Sequence, residues 1–532
     1  MKGIDPRTLR EWLQDEGELA LFDVREELIF GAAHILYASC LPLSRLELKV
    51  AALAPRRNVR MVLCDGGEGL ALRGALRLEE LGYTDVSVLS GGTGAWKGAG
   101  FELFSGVNVP SKAFGEIVAH EYGTPSISAD ELKQKLDSGE DVVVLDSRPF
   151  AEYTARNIPS GICVPGGELV YRVGELAPAP ATQVVVNCAG RTRSIIGAQS
   201  LINAGIPNPV VALRNGTMGW HLAGHELETG STRRAPALRE AAIESARAHA
   251  EAVARRYRVV RISSREYERF RIEQDRRALF VLDVRNPEEY EAGHLPGSRS
   301  APGGQLVQET DQFVGTLRSR IVLVDDTGVR ATMAASWLIQ MGWPEVYVLD
   351  GALDGSSLET GPEPVDVAGL EKASVEAIGA GTLNALIATG SADVIDVSSS
   401  RSYRQGHVPG AWFTIRARFP ETLPKLGLGE TIVVTSEDGL LARLAASEAA
   451  ACTGAEVKVL GGGVAAWRSA DFPLEAGETR MADPAEDIWL RPYEKDWGVE
   501  EAMQDYLTWE VALVEQIRRD GTARFRRRVE FD

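Results

Sequence analysis

The hexapeptide Cys188-Ala189-Gly190-Arg191-Thr192-Arg193 places a thiol, a glycine and two guanidinium groups one residue beyond the apolar run Val184-Val185-Val186. A free thiol has a pKa of about 8.5 and attacks as the thiolate, a form favoured by a helix N-terminus, a nest of backbone amides and nearby arginines. All three are expected around Cys188. Gly190 lets the backbone curl so that its amides point inward, Arg191 and Arg193 add positive charge, and Ser194-Ile195-Ile196 starts a helix. The pattern points to a cysteine nucleophile in a positively charged cradle. A merely buried, inert thiol would leave the glycine and the two arginines unexplained.

The elements that must hold this loop recur. Four apolar runs end in an aspartate: Leu21-Phe22-Asp23-Val24-Arg25, Val144-Leu145-Asp146-Ser147-Arg148, Val281-Leu282-Asp283-Val284-Arg285 and Val394-Ile395-Asp396-Val397-Ser398, spaced at domain length. Each is followed by a turn containing His34, Asn157, His294 or His407, then by a β-branched run read as a buried parallel strand, then by a helical stretch. A last strand leads to a glycine turn with Trp96, Trp220 or Trp467, and the third copy lacks the tryptophan. Strand–helix–strand order of this kind gives a parallel sheet covered by helices on both faces.

The expected organisation is four α/β domains over 1–105, 106–232, 258–365 and 366–478. A linker helix lies within 233–257, and a helical extension over 479–532 offers Tyr506, Trp509, Val511, Leu513 and Val514 for packing. Alignment of the strands puts Cys64, Cys188, Asp325 and Ser436 at the heads of the four loops. Asp65 and Glu68 disfavour a thiolate at Cys64, Asp325 has no sulfur, and Ser436 has no histidine in its loop to act as base, so only the second copy is expected to be active.

At 532 residues, with 44% hydrophobic and 25% charged residues, the chain has material for several cores. A net charge of −18 argues against a general nucleic-acid surface, and the cluster Arg524-Phe525-Arg526-Arg527-Arg528 is read as a solvated or intramolecularly docked tail. No signal-like or membrane-spanning run is found, which gives a cytoplasmic expectation with no membrane partner. Five cysteines without CxxC spacing give neither a zinc site nor a disulfide framework, and no metal or cofactor is expected. The histidines of the recurring turn are expected to be structural. His221 and His225 are read as surface residues.

Together, the Asp-x-Arg strand end, the Gly-His-x-Pro-Gly turn, the cysteine-headed loop and the Gly-Gly-x-x-x-Trp turn resemble the rhodanese, or thiosulfate sulfurtransferase, superfamily, as four copies over Met1 to about Glu478. The resemblance implies small α/β domains with a five-stranded parallel sheet. It also implies that Cys188 carries a sulfane sulfur as a persulfide, from thiosulfate to cyanide or a thiol, with a protein acceptor as a further option. Arg191 and Arg193 would then bind the donor's sulfonate, with Arg148 as a third candidate or as an ion-pair partner of its own sheet end. Two alternatives stand beside this. One is a binding scaffold or sulfur relay built from the silent copies. The other, weaker, is a phosphatase or arsenate reductase, whose loops have one more residue between cysteine and arginine than Cys188 and Arg193 enclose.

Overall fold

The computed structural model describes residues 2–355 and 357–531. In the second copy the sheet runs Ser126–Ile127, Val210–Leu213, Gln183–Asn187, Val142–Asp146 and Ile162–Cys163, all parallel. The central strand is apolar throughout because both faces are covered. Val184 and Val186 enter one core with Leu145, Leu169 and Leu201, and Val185 enters the other with Val144, Leu213 and Trp220. The third and fourth copies repeat this five-stranded order. The first adds a sixth strand, Thr316–Leu317, lent by the third copy and antiparallel to Leu19–Asp23.

Trp96, Trp220 and Trp467 are fully enclosed, and each donates its indole N–H to a backbone carbonyl (Glu102, Glu226, Pro473) at 2.8 Å. A buried tryptophan needs such a partner, so the recurring glycine–tryptophan turn closes each of these copies.

The copies do not pair as first with second and third with fourth: the second packs on the third and the first on the fourth, and the third also lends its strand to the first. At the first seam Gly166-Gly167 meets Gly303-Gly304 so closely that a Cβ on Gly304 would lie 2.9 Å from Gly166 N. Arg330 there reaches Glu168 at 2.8 Å. The helix Glu240–Tyr257, expected to link a first pair of domains to a second, lies on the same seam against Leu169–Leu176 and Val329–Gln340. At the other seam Arg416 grips Glu47 bidentately, at 2.7 and 2.9 Å.

The extension forms the helix Val499–Asp520. Its buried face is Met503, Leu507, Leu513 and Ile517, which pack on Ala189 and Met218 at one end and on Leu36, Phe104 and Val109 at the other; Val511 is exposed. The basic tail is docked: Arg524 donates to the carbonyls of Gln14 and Asp15, and Phe525 packs on Phe114. No helix among the described residues is long and apolar enough to cross a membrane.

Candidate active site

Cys188 is the first residue after the strand Gln183–Asn187, at the carboxyl end of the sheet, and the helix Thr192–Ala204 starts four residues later. Strand register corrects the alignment of the first copy. Asp146 pairs with Asn187, Asp283 with Val324, Asp396 with Thr435, and Asp23 with Cys64. The loop heads are therefore Asp65, Cys188, Asp325 and Ser436, and Cys64 is the last strand residue. It points into the core, where burial pushes its thiol well above the ordinary range.

The four heads occupy one backbone cradle. Asp65 accepts from the amides of Gly67, Gly69 and Ala71 at 2.9 to 3.0 Å, and Asp325 from Gly328, Arg330 and Ala331 at 2.6 to 3.2 Å. Ser436 Oγ accepts from Gly439 and Ala442. In the second copy Cys188 Sγ lies 3.0 Å from the Ser194 hydroxyl, which donates to it, and the Ser194 amide also favours the thiolate. The other three loops thus fill with their own carboxylate or hydroxyl the nest that faces the Cys188 sulfur here.

Cys188 is only 2% exposed, and this burial pushes its pKa up against the opposing pull of Arg193 and Ser194. The expected net lowering is therefore not found. Gly190 also differs from expectation, since its φ is not in the left-handed region. Its smallness is needed outward instead, because a Cβ there would lie 3.2 Å from both Glu510 Oε2 and Tyr506 Cε1.

Both loop arginines are bound by carboxylates. Arg191 holds Glu116 at 2.6 and 2.8 Å and reaches Asn215, while Arg193 holds Glu152 at 2.9 Å through both terminal nitrogens and reaches Gln305. Arg148, expected either to bind an anion or to pair with its own sheet end, is shown by the structure to form the ion pair. It is 1% exposed, grips Asp146 at 2.6 and 2.8 Å, and donates to the Arg156 carbonyl. Arg25 and Arg285 make the same ion pair in copies without a thiol at the head.

Cys188, Arg191, Arg193 and their loop line a cavity of about 380 Å³ whose walls come from every part of the chain. Glu27 belongs to the first copy, Gln305 and Glu309 to the third, Arg401 to the fourth, and Arg491, Tyr493, Tyr506 and Glu510 to the extension. Lys112, on the helix Val109–Tyr122, completes the cationic lining, and burial lowers its pKa to about 8. None of these residues was anticipated at the site, Tyr506 having been read only as a packing residue, because each lies far from the loop in sequence and carries no motif.

The turn histidines are structural: Nδ1–H of His34, His294 and His407 donates to the carbonyl of Phe30, Tyr290 and Tyr403, and Asn157 makes the same bond to Tyr153. His225 pairs with Asp130, and His221 lies 3.8 Å from Glu500; neither lines the cavity.

Four parallel-sheet domains, each with a loop cradle at the carboxyl end of the central strand, define the class: the Rhodanese-like domain model matches residues 5–99, 128–223, 266–358 and 380–470, and the chain belongs to that family. A solved structure described as a thiosulfate sulfurtransferase from Pseudomonas aeruginosa is 50% identical, with a TM-score of 0.96 and 99% of each chain covered. Among curated proteins, the thiosulfate sulfurtransferase GlpE of Pseudoalteromonas translucida is 32% identical over 82 residues, covering 14% of this chain and 71% of that protein. GlpE of Pseudomonas paraeruginosa is 34% identical over 76 residues, covering 14% of this chain and 66% of that protein.

Proposed function

We propose that this chain is a thiosulfate sulfurtransferase that works through a persulfide on Cys188. The observation that carries the reading is that Cys188 alone among the four loop heads is a thiol, and its cradle opens into a cavity lined by five cationic side chains. In the first step the Cys188 thiolate attacks the outer sulfur of thiosulfate. The S–S bond breaks, its electron pair leaves with sulfite, and the sulfur remains on Cys188. In the second step a nucleophilic acceptor, cyanide or a thiol, attacks that outer sulfur and returns Cys188 as thiolate.

Arg193 and Arg191 supply positive charge at the loop, and the carboxylates of Glu152 and Glu116 fix their position. Lys112, Arg401 and Arg491 add positive charge to the cavity wall, where the sulfonate of the donor would be met, and Arg491 lies 3.3 Å from the Glu152 carboxylate that Arg193 holds. Burial raises the Cys188 pKa, so loading should quicken as pH rises above neutrality. The domains are assigned to 1–105, 106–232, 258–365 and 366–478. All five cysteines are unbridged, which suits the reducing cytoplasm to which we assign the chain.

The test is thiocyanate formation from thiosulfate and cyanide, with intact mass after donor treatment. The expected result is turnover and a gain of one sulfur atom that is lost in Cys188→Ala and kept in Cys64→Ala. Absence of sulfur on Cys188 with any persulfide donor would leave a four-domain binding scaffold.

A further inference from the structure

The cavity contains a carboxylate that sulfur loading does not use. Glu510 comes from the helix Val499–Asp520, outside all four family matches, and is 1% exposed. Its Oε1 accepts from the hydroxyls of Tyr506 at 3.0 Å and Thr192 at 3.2 Å. Its Oε2 accepts no hydrogen bond among the described residues and lies over Gly190 in the wall of the Cys188 cavity. Glu116 and Glu152, the other carboxylates beside the loop, are each held by a guanidinium. Leaving a buried carboxylate oxygen without a partner costs folding free energy, so its retention at the cavity wall calls for an explanation.

We propose that Glu510 is the general base that takes the proton of a thiol acceptor as its sulfur attacks the sulfur carried on Cys188, and hence that the acceptor is a protonated thiol. This rests on the persulfide reading above. The step balances: the thiol S–H bond breaks and its proton passes to Glu510 Oε2. The thiol sulfur bonds to the outer sulfur, and the S–S bond to Cys188 breaks with its electron pair kept on Cys188 as thiolate. The products are an acceptor persulfide anion, the Cys188 thiolate and neutral Glu510.

The titratable and charged groups facing Glu510 are Lys112 and Glu116 from Val109–Tyr122, Arg191 and the Cys188 thiol from the loop, and Tyr506 on its own helix. Burial is the largest influence and raises the Glu510 carboxyl to about 7, where a base exchanges protons readily at neutral pH.

The experiment is single-turnover discharge of sulfur-loaded protein by 2-mercaptoethanol, followed by intact mass across pH 5 to 9, for wild type, Glu510→Gln and Glu510→Asp. In the wild type the rate should fall below a pH of about 7 and level off above it. Glu510→Gln should discharge about 10²-fold more slowly near neutrality and lose the plateau, its rate climbing with the free thiolate; Glu510→Asp should restore part of both. Discharge of loaded Glu510→Gln at the wild-type rate, or with the wild-type plateau, overturns this inference alone. A wild-type protein that never loads sulfur on Cys188 overturns the persulfide reading and this inference with it.

Discussion

The loops headed by Cys188 and Asp325 share one framework and differ in what fills it. In both, the guanidinium five residues after the head grips the glutamate six residues after the strand-end aspartate: Arg193 with Glu152, and Arg330 with Glu289. In the third copy Arg330 is fully enclosed and binds Glu168 and Asp326 as well, and the Asp325 carboxylate takes the loop amides. Its helix is entered through Gly328 at φ 76°, whereas Arg191, at the matching place, has φ −119° and presents a charged side chain to the cavity. An ion pair that frames an open cradle in one copy thus becomes, with further partners, a brace across a domain seam in the other.

The largest expected effect comes from exchanging the heads. Cys188→Asp should lower thiocyanate formation at least about 10³-fold. Asp325→Cys in the Cys188→Ala background should restore none of it, because Arg330 there is locked by three carboxylates; appreciable turnover would show that the head residue alone decides. Next in size, Arg330→Met leaves Glu168 with Arg172 as its remaining partner and removes its ion pair across the seam, which should cost about 3 kcal/mol, read from urea unfolding.

A smaller effect is expected at the second loop residue after the head, which is Gly190 in the second copy and Thr327 in the third. Only Gly190 lies under Tyr506 and Glu510, so Gly190→Ala should cost about 1–3 kcal/mol and speed proteolysis of the C-terminal helix. Thr327→Ala should be neutral.

The smallest effect lies at the strand end of the fourth copy, where Ser398 replaces the arginine and burial raises the Asp396 carboxyl to about 7. A carboxyl raised in the folded state contributes stability that is full below its unfolded pKa and is lost as pH rises through 7. The urea midpoint should therefore fall less from pH 5 to 8 in Asp396→Asn than in wild type.

The fold was legible because four ordered motifs recur, and each has a local cause: an Asp-x-Arg pair two residues apart, a histidine bonded four residues back, a glycine that lets a tryptophan turn close. The loop around Cys188 was legible for the same reason. Assigning Cys64 to a loop head failed because a cysteine beside an aspartate leaves the strand end uncertain by one residue, and only pairing with Asp23 fixes it. Composition also could not show that Glu116 and Glu152 occupy the two loop arginines, or that Tyr506 and Glu510 cap the loop from a helix read simply as apolar packing. Those contacts depend on how the copies and the extension assemble, with the second on the third and the first on the fourth, and no local pattern encodes that.

The strand Thr316–Leu317 bears on how the chain is made. It completes the edge of a sheet whose neighbouring strand, Leu19–Asp23, leaves the ribosome roughly 300 residues earlier, a wait on the order of 15–60 s at common elongation rates. For that interval the nascent N-terminal sheet exposes unpaired backbone to chaperones and to other chains. Synthesis therefore finishes the first domain only after about half of the third has emerged, and slower elongation through the middle of the message should lower the yield of assembled protein.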